Sequence, residues 1–230
     1  MLTMVIIALV VVCGAEFARE AMLPKVDLDT QVSSVRAMQT GPNDKSLRFA
    51  VASMVSAAQT FSTYQQLVQR VCKDAGREEA FVLRPSYSDV RQSLEKGQVD
   101  VAFVCTGTYV HTLDDQTVKL LAQPVFENGQ QYRCLMIVPT QSPIQTVADL
   151  QDKVMAFTDP ESNTGCLVPS HMLHRMGKDP RTFLSEIIYT GSHDRSIVAV
   201  EREIVDVASV DSLIWYSKLR AEPDLKDRIR

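Results

Sequence analysis

Apolar runs alternate with stretches of helical spacing from residue 47 onwards. Residues 99–104 form a nearly continuous apolar run that is broken only by Asp100, as is typical of a strand buried on both faces. Residues 61–75 carry apolar side chains at helical spacing, and Gly76 follows as a stop signal. This alternation predicts an α/β fold with largely parallel sheets. The other predicted strands are 47–52, 81–83, 118–122, 132–138, 154–157, 187–189 and 205–210, and the other predicted helices are 86–97, 147–151, 167–176, 193–203 and 212–219.

An internal repeat indicates two lobes of similar construction. Residues 86–106 align without a gap to residues 192–212, and both copies contain the run Val-Asp-Val-Ala. In each copy a serine begins a predicted helix and a buried strand follows it. The predicted lobes are 46–138, with a hinge near 124–138, and 139–215, and residues 216–230 are predicted to start a return segment.

The N-terminus has the pattern of an export signal. Residues 4–12 are almost wholly apolar, which is too short for a comfortable membrane-spanning helix. Small residues precede a plausible cleavage point after Ala15. No Lys or Arg precedes the apolar run, and Cys13 also suggests lipid attachment, although Val12 before it is bulky. Residues 1–15 are therefore interpreted as a signal peptide or an uncleaved anchor, and residues 16–45 as a polar linker.

Composition narrows the classes of function. The chain has 230 residues and a net charge of −4, so it lacks the basic excess that nucleic-acid binding requires. Its sequence contains no nucleophile elbow and no phosphate-loop lysine motif, so we expect no enzyme activity, no cofactor and no metal site. The four cysteines beyond the signal fit no zinc or redox spacing, and they are expected to be buried free thiols, although export would permit disulfides.

The strongest candidate for a binding site is the loop 158–165, TDPESNTG, between a predicted strand and a predicted helix. Helix N-termini at the carboxyl ends of parallel strands hold oxyanions well, because their N–H groups are unpaired. Ser162, Asn163 and Thr164 add side-chain hydrogen-bond donors, and Gly165 permits close approach of the backbone. An ordinary capped loop is the alternative interpretation.

A second candidate lies at the helix start around Ser192 and His193. Tyr87 occupies the place equivalent to His193 in the other copy of the repeat, so the two large donor side chains are expected to face one cleft. A surface or capping histidine is the alternative.

The third candidate is Asp211, which follows a predicted strand and precedes Ser212. A carboxylate beside an anion is useful if the ligand carries a P–OH proton, because a carboxylate only accepts hydrogen bonds. It would equally hold a ligand amine, or serve as a helix N-cap. Thr106 follows Cys105 at the counterpart position of the first copy.

These segments together resemble the phosphate/phosphite/phosphonate-binding periplasmic proteins of ABC importers. The resemblance covers residues 47–219 and rests on the segments 86–90, 97–103, 159–165 with Pro169, 191–194 and 205–212, in the family's order and spacing. It implies a two-lobe periplasmic binding protein fold (type II-like) that closes over its ligand. The residues that carry over as ligand contacts are Tyr87, Ser162, Asn163, Thr164, His193 and Asp211, with Thr106, Gly165, Ser192 and Ser212 as secondary positions.

The resemblance also implies partners: a small phosphorus oxyanion, which the sequence does not identify further, and an ABC permease in the inner membrane. A periplasmic protein is expected, with an extracytoplasmic sensor domain as the alternative. Asn163 stands where some members carry a hydroxyl residue, and residues 105–109 differ from the aromatic-glycine segment of aminoalkylphosphonate binders. Because the chain stops at Arg230, the C-terminal closing segment of the family is expected to be lacking.

Overall fold

Two β-sheets organise the structure, one in each half of the chain. The computed structural model describes the backbone of residues 4–8 and, in addition, residues 45–55, 57–113, 118–124 and 132–230. The described strands are β1 (Met4–Ala8), β2 (Ser46–Val51), β3 (Glu78–Phe81), β4 (Val101–Val104), β5 (Val118–Ala122), β6 (Cys134–Ile137), β7 (Val154–Phe157), β8 (Glu186–Tyr189) and β9 (Val207–Asp211). The described α-helices are α1 (Ala57–Asp74), α2 (Tyr87–Glu95), α3 (Thr106–Val110), α4 (Val168–Arg175), α5 (Pro180–Phe183), α6 (His193–Glu201) and α7 (Ser212–Ala221).

The two sheets are built mainly from parallel pairs. The first lobe has the strand order β3-β2-β4-β1-β5, and every pair in it is parallel. The second lobe has the order β6-β9-β7-β8, in which only the β6–β9 pair is antiparallel. The predicted α/β fold with largely parallel sheets is therefore confirmed.

The repeat seen in the sequence has a structural counterpart. Helices α2 and α6 have the same length, and their first residues, Tyr87 and His193, are aligned positions. Strands β4 and β9 follow at equivalent places. In parallel α/β sheets a ligand usually binds in the crevice beyond the carboxyl ends of the strands, and Cys105 and Asp211 stand at the carboxyl ends of β4 and β9.

The boundary between the lobes differs from the predicted one. Residues Cys134–Ile137, which the prediction placed at the end of the first lobe, pair with β9 and so belong to the second sheet. Residues 216–230, predicted as a return segment, also pack on the second lobe: Leu225 and Ile229 are buried, and Val138 and Arg230 exchange backbone hydrogen bonds. The sequence hid this arrangement because the β6 pairing joins residues about 75 positions apart.

Strand β1 falls within the predicted signal segment. Its backbone lies between β4 and β5 and is parallel to both. Cleavage after Ala15 would remove this strand, so cleavage stays a prediction and β1 describes the uncleaved chain. Residues 9–44, which include most of the predicted linker, lie outside the described residues. Among the described helices, none combines the length and apolarity that a membrane crossing requires.

Two apolar clusters form the core, and one of them spans both lobes. The larger contains Phe49 and Phe103 of the first sheet together with Ile197 and Trp215 of the second lobe. The smaller lies within the second lobe, around Met155, Phe157 and Leu173. The described cysteines are free: Cys72, Cys105 and Cys166 are buried and Cys134 is partly buried.

Candidate functional site

The loop after strand β7 is folded tightly on itself. Thr158 donates its N–H to the Gly165 carbonyl at 3.1 Å, and the Ser162 hydroxyl accepts from the Gly165 N–H at 3.1 Å. A π-helical turn, Asn163–Leu167, leads from this loop into α4. A Cβ on Gly165 would lie 2.4 Å from the Thr158 hydroxyl oxygen, so this position requires glycine. The loop is thus a rigid platform at the carboxyl end of β7.

His193 begins α6 and is held by two groups at one ring nitrogen. Its Nδ1 accepts a hydrogen bond from the Asp211 backbone N–H at 3.2 Å and lies 3.0 Å from the Thr158 hydroxyl oxygen. Because a backbone N–H only donates, Nδ1 carries the lone pair and Nε2 carries the proton. Burial lowers the pKa of His193 to about 3. The imidazole is therefore a neutral donor through Nε2.

Asp211 ends β9 and caps α7. Its carboxylate accepts from the Leu213 N–H at 2.7 Å and from the Thr164 hydroxyl. Burial nevertheless raises its pKa to about 6, because these hydrogen bonds only partly offset the loss of water. The Ser209 hydroxyl, two residues earlier on the same strand, donates to the Thr164 carbonyl at 2.7 Å and fixes the loop against β9.

Tyr87 brings the first lobe to the same place. It begins α2, and its hydroxyl is buried without a hydrogen-bond partner among the described residues. Burial raises the pKa of this hydroxyl well above its usual value, and the neighbouring charges of Cys105, Asp159 and Asp211 raise it further. The Asp159 and Asp211 carboxylates of the second lobe therefore act electrostatically on the Tyr87 hydroxyl of the first lobe.

Other predicted positions lie around this centre. Asn163 donates its side-chain amide to the Tyr132 hydroxyl at 3.0 Å, and that hydroxyl also bonds to Thr106, which is exposed. The Ser192 hydroxyl is buried without a partner among the described residues, whereas the Ser212 hydroxyl accepts from the Arg133 N–H at 2.8 Å. The Ser212 hydroxyl is thus used in a hydrogen bond within the second lobe, whereas the Ser192 hydroxyl can still hydrogen-bond to a ligand.

Three residues of this region were missed by the sequence reasoning. Thr158 contacts the His193 ring, Asp159 accepts from the Tyr87 N–H at 3.2 Å, and Tyr132 joins Thr106 to Asn163. A weak signal existed for the first two, since both belong to the loop already singled out. Nothing in the local sequence indicates the contacts of Tyr132.

The centre is closed to solvent. Tyr87, His193, Thr164 and Asp211 are 1%, 2%, 4% and 3% exposed. The lobes must separate before any ligand reaches these side chains. Two similar lobes, a buried polar centre between them and helix N-termini facing it define a ligand-binding protein of the two-lobe class.

Comparison with known proteins places this class more narrowly. Residues 49–230 match the family model described as ABC transporter, phosphonate, periplasmic substrate-binding protein. The match covers well over half of the chain, and the chain belongs to that family.

Solved structures support the fold. A binding protein component of an ABC phosphonate transporter from Pseudomonas aeruginosa is 19% identical, with a TM-score of 0.72, over 82% of this chain and 64% of its own. PhnD1 from Prochlorococcus marinus, solved with methylphosphonate, is 15% identical with a TM-score of 0.69, over 82% of this chain and 71% of its own. The arginine-bound ArgBP of T. maritima is also similar, at 13% identity and a TM-score of 0.53 over 81% of this chain and 80% of its own. The two-lobe fold is thereby confirmed, and because it also serves an amino acid, it does not identify the ligand.

Proposed function

We propose that this chain captures a small phosphorus oxyanion between its lobes in the periplasm and delivers it to the permease of an ABC importer. The observation that carries the proposal is the buried pair His193 and Asp211: the Asp211 backbone N–H donates to Nδ1 of His193, so Nε2–H remains to donate. Membership of the phosphonate-binding family supports the ligand class, and methylphosphonate in one structure of the same fold agrees with it. The chain spans 64% of the first solved relative, so delivery to a permease is part of the proposal.

The proposed ligand contacts are neutral donors and helix N-termini. His193 offers Nε2–H, Tyr87 offers its hydroxyl and Ser192 offers a hydroxyl that has no partner among the described residues. The helices α2 and α6 begin at Tyr87 and His193, so their N-terminal dipoles favour negative charge between the lobes. None of these donors is a charged group, so they lose less hydration free energy on binding an anion than a charged side chain would.

Asp211 is proposed to select the protonation state of the ligand. Its carboxylate only accepts hydrogen bonds, so an oxyanion beside it must supply a P–OH proton. Phosphoryl groups have a second pKa of about 6, so the singly protonated form is available near neutral pH. Sulfate and sulfonates have no such proton, and the carboxylate would face an oxygen lone pair. Phosphonate, phosphite and phosphate monoanions all satisfy this requirement.

Calorimetry on site variants tests the proposal. We expect His193→Ala and Thr164→Val each to lower the affinity for methylphosphonate, phosphite or phosphate by roughly tenfold or more, since each removes a buried hydrogen bond of the centre. His171→Ala and Thr182→Val, on the exposed surface of the same lobe, are matched controls and should bind as the wild type does. Unchanged affinity in both site variants would contradict the assigned site.

A further inference from the structure

The acidic loop of the second lobe docks onto two helices of the first lobe. Glu161 follows β7, and its Oε1 lies 3.0 Å from both Nε and a terminal nitrogen of Arg91 on α2. The Arg91 and Glu161 side chains are 22% and 10% exposed, so this ion pair between the lobes is largely shielded from water. Neither residue belongs to the proposed ligand contacts.

The backbone of this loop also touches helix α3. A Cβ on Gly107 would lie 2.3 Å from the Glu161 carbonyl oxygen and 2.9 Å from the Asn163 nitrogen. The Cys105 thiol lies 3.6 Å from the same carbonyl. The lobes therefore approach so closely at residue 107 that only glycine fits between them.

We propose that Arg91, Glu161 and Gly107 form an interlobe clasp that holds the closed state and so sets ligand affinity without touching the ligand. They are positioning residues, and the effect on affinity rests on the proposed function. The clasp changes the affinity because a ligand that binds the closed state binds more tightly when that state is more populated.

The ion pair stabilises the closed state, because the Glu161 carboxylate is buried against the first lobe only when the lobes are together. The second carboxylate oxygen of Glu161 is buried without a hydrogen-bond partner among the described residues, so Arg91 supplies the compensating contact. Removing Arg91 would leave a buried unpaired carboxylate, which is costly, whereas separating the lobes would return it to water. The lobes of such a variant are thus expected to open.

Gly107 provides a steric version of the same test. It lies within helix α3, where its backbone is helical and alanine is locally favoured over glycine. An added methyl group conflicts with the opposite lobe and with nothing else that helix formation requires. Gly107→Ala is therefore expected to hold the lobes apart without weakening the first lobe.

Small-angle X-ray scattering of the ligand-free chain tests the clasp directly. We expect Arg91→Gln and Gly107→Ala to increase the radius of gyration relative to the wild type. Arg91 also pairs with Glu95 of its own helix at 2.8 Å, so Glu95→Gln is a matched control and should scatter as the wild type does. In the double variant Arg91→Gln with Glu161→Gln the buried charge is gone, and part of the compaction should return.

Calorimetry then links the clasp to binding. The phosphorus oxyanion that binds the wild type most tightly should lose roughly tenfold or more in affinity with Arg91→Gln and with Gly107→Ala, and the double variant should regain part of the loss. If the wild type bound none of these anions, the proposed function would fail while scattering would still decide the clasp. If Arg91→Gln and Gly107→Ala both had the radius of gyration of the wild type, the clasp would be overturned even if the ligand were confirmed.

Discussion

Burial shifts the two titratable groups of the centre in opposite directions. Burial raises the pKa of Asp211 to about 6 and lowers the pKa of His193 to about 3, because it disfavours the charged form of each. At neutral pH His193 is therefore uncharged and donates through Nε2, whereas Asp211 is still mostly ionised and only accepts hydrogen bonds. An anion that enters this centre meets neutral donors and one carboxylate, which suits a ligand that carries a P–OH proton.

Asp211 should make the folded chain less stable as the pH rises. The unfolded carboxyl ionises near pH 3.8 and the folded one near pH 6, so its contribution is full below pH 3.8 and is lost as the pH rises through 6. Asp211→Asn should remove this loss and stabilise the ligand-free chain by up to about 3 kcal/mol at pH 7.5, with no gain at pH 4. Denaturant unfolding at both pH values measures the difference.

Asp211→Asn is also expected to bind the phosphorus oxyanion less well. The amide has only one acceptor oxygen, and the Leu213 N–H already donates to this side chain, so no second acceptor oxygen remains for the P–OH group. A stability gain at pH 7.5 combined with weakened binding would be typical of a strained functional carboxylate. Equal stabilisation at pH 4 and pH 7.5 would show that ionisation of Asp211 is not the cause.

His193 should remain neutral and Nε2-protonated throughout the physiological range. The unfolded histidine takes up a proton near pH 6.5 and the folded one only near pH 3, so this residue costs stability as the pH falls below 6.5. Nitrogen-15 NMR of the imidazole should show one tautomer without titration between pH 5 and 8. His193→Gln identifies the signal, and a midpoint near 6.5 for that signal would contradict the assignment.

At the scale of elements, glycines distinguish contacts within a lobe from contacts between lobes. The Gly165 clash with Thr158 lies inside one loop, so it cannot be relieved by lobe motion. We expect Gly165→Ala to destabilise the chain by about 1–3 kcal/mol, as overpacking does. Gly107→Ala is the comparison, because its clash is relieved by opening, and its melting temperature should stay close to that of the wild type. Equal melting temperatures for both variants would contradict this distinction.

The elements that the sequence predicted well have strong local signals. Helix α2 begins after Ser86, whose hydroxyl accepts from the Asp89 N–H at 3.1 Å, and Gly97 with φ +71 follows its end. Helix α3 was missed because its five residues include glycine and β-branched threonines, which have low helix propensity. In the structure the helix packs against the loop after β7, a contact that the local sequence does not indicate. Strand β3 was placed too late because its first two residues are exposed glutamates on an edge strand.

The site was predictable to the extent that it follows the repeat. Tyr87, His193 and Asp211 lie where the aligned copies place them, at helix starts and a strand end. The partners of these residues were not predictable, because the Thr158–His193 and Asp159–Tyr87 contacts join residues 35 and 72 positions apart. The first contact is fixed by packing within the second lobe and the second by how the two lobes meet, and local patterns encode neither.

At the scale of the whole molecule, the described conformation is a closed one. The backbone N–H of His193 donates to the Met54 carbonyl of the first lobe at 3.0 Å, and the Asp159 and Glu161 contacts also join the two lobes. Ligand capture therefore requires hinge opening followed by closure, and the energy of these contacts between lobes enters the measured affinity.

The measurement that tests the central claim most directly is calorimetry with methylphosphonate and methanesulfonate at neutral pH. The two anions have nearly the same shape, and only the phosphonate carries a proton for Asp211 to accept. We predict that methylphosphonate, or the phosphorus oxyanion that binds best, has an affinity at least about 100-fold higher than methanesulfonate, and that Asp211→Asn narrows this difference. Equal affinities, or a preference for the sulfonate, would contradict the proposal that this cleft selects a protonated phosphorus oxyanion.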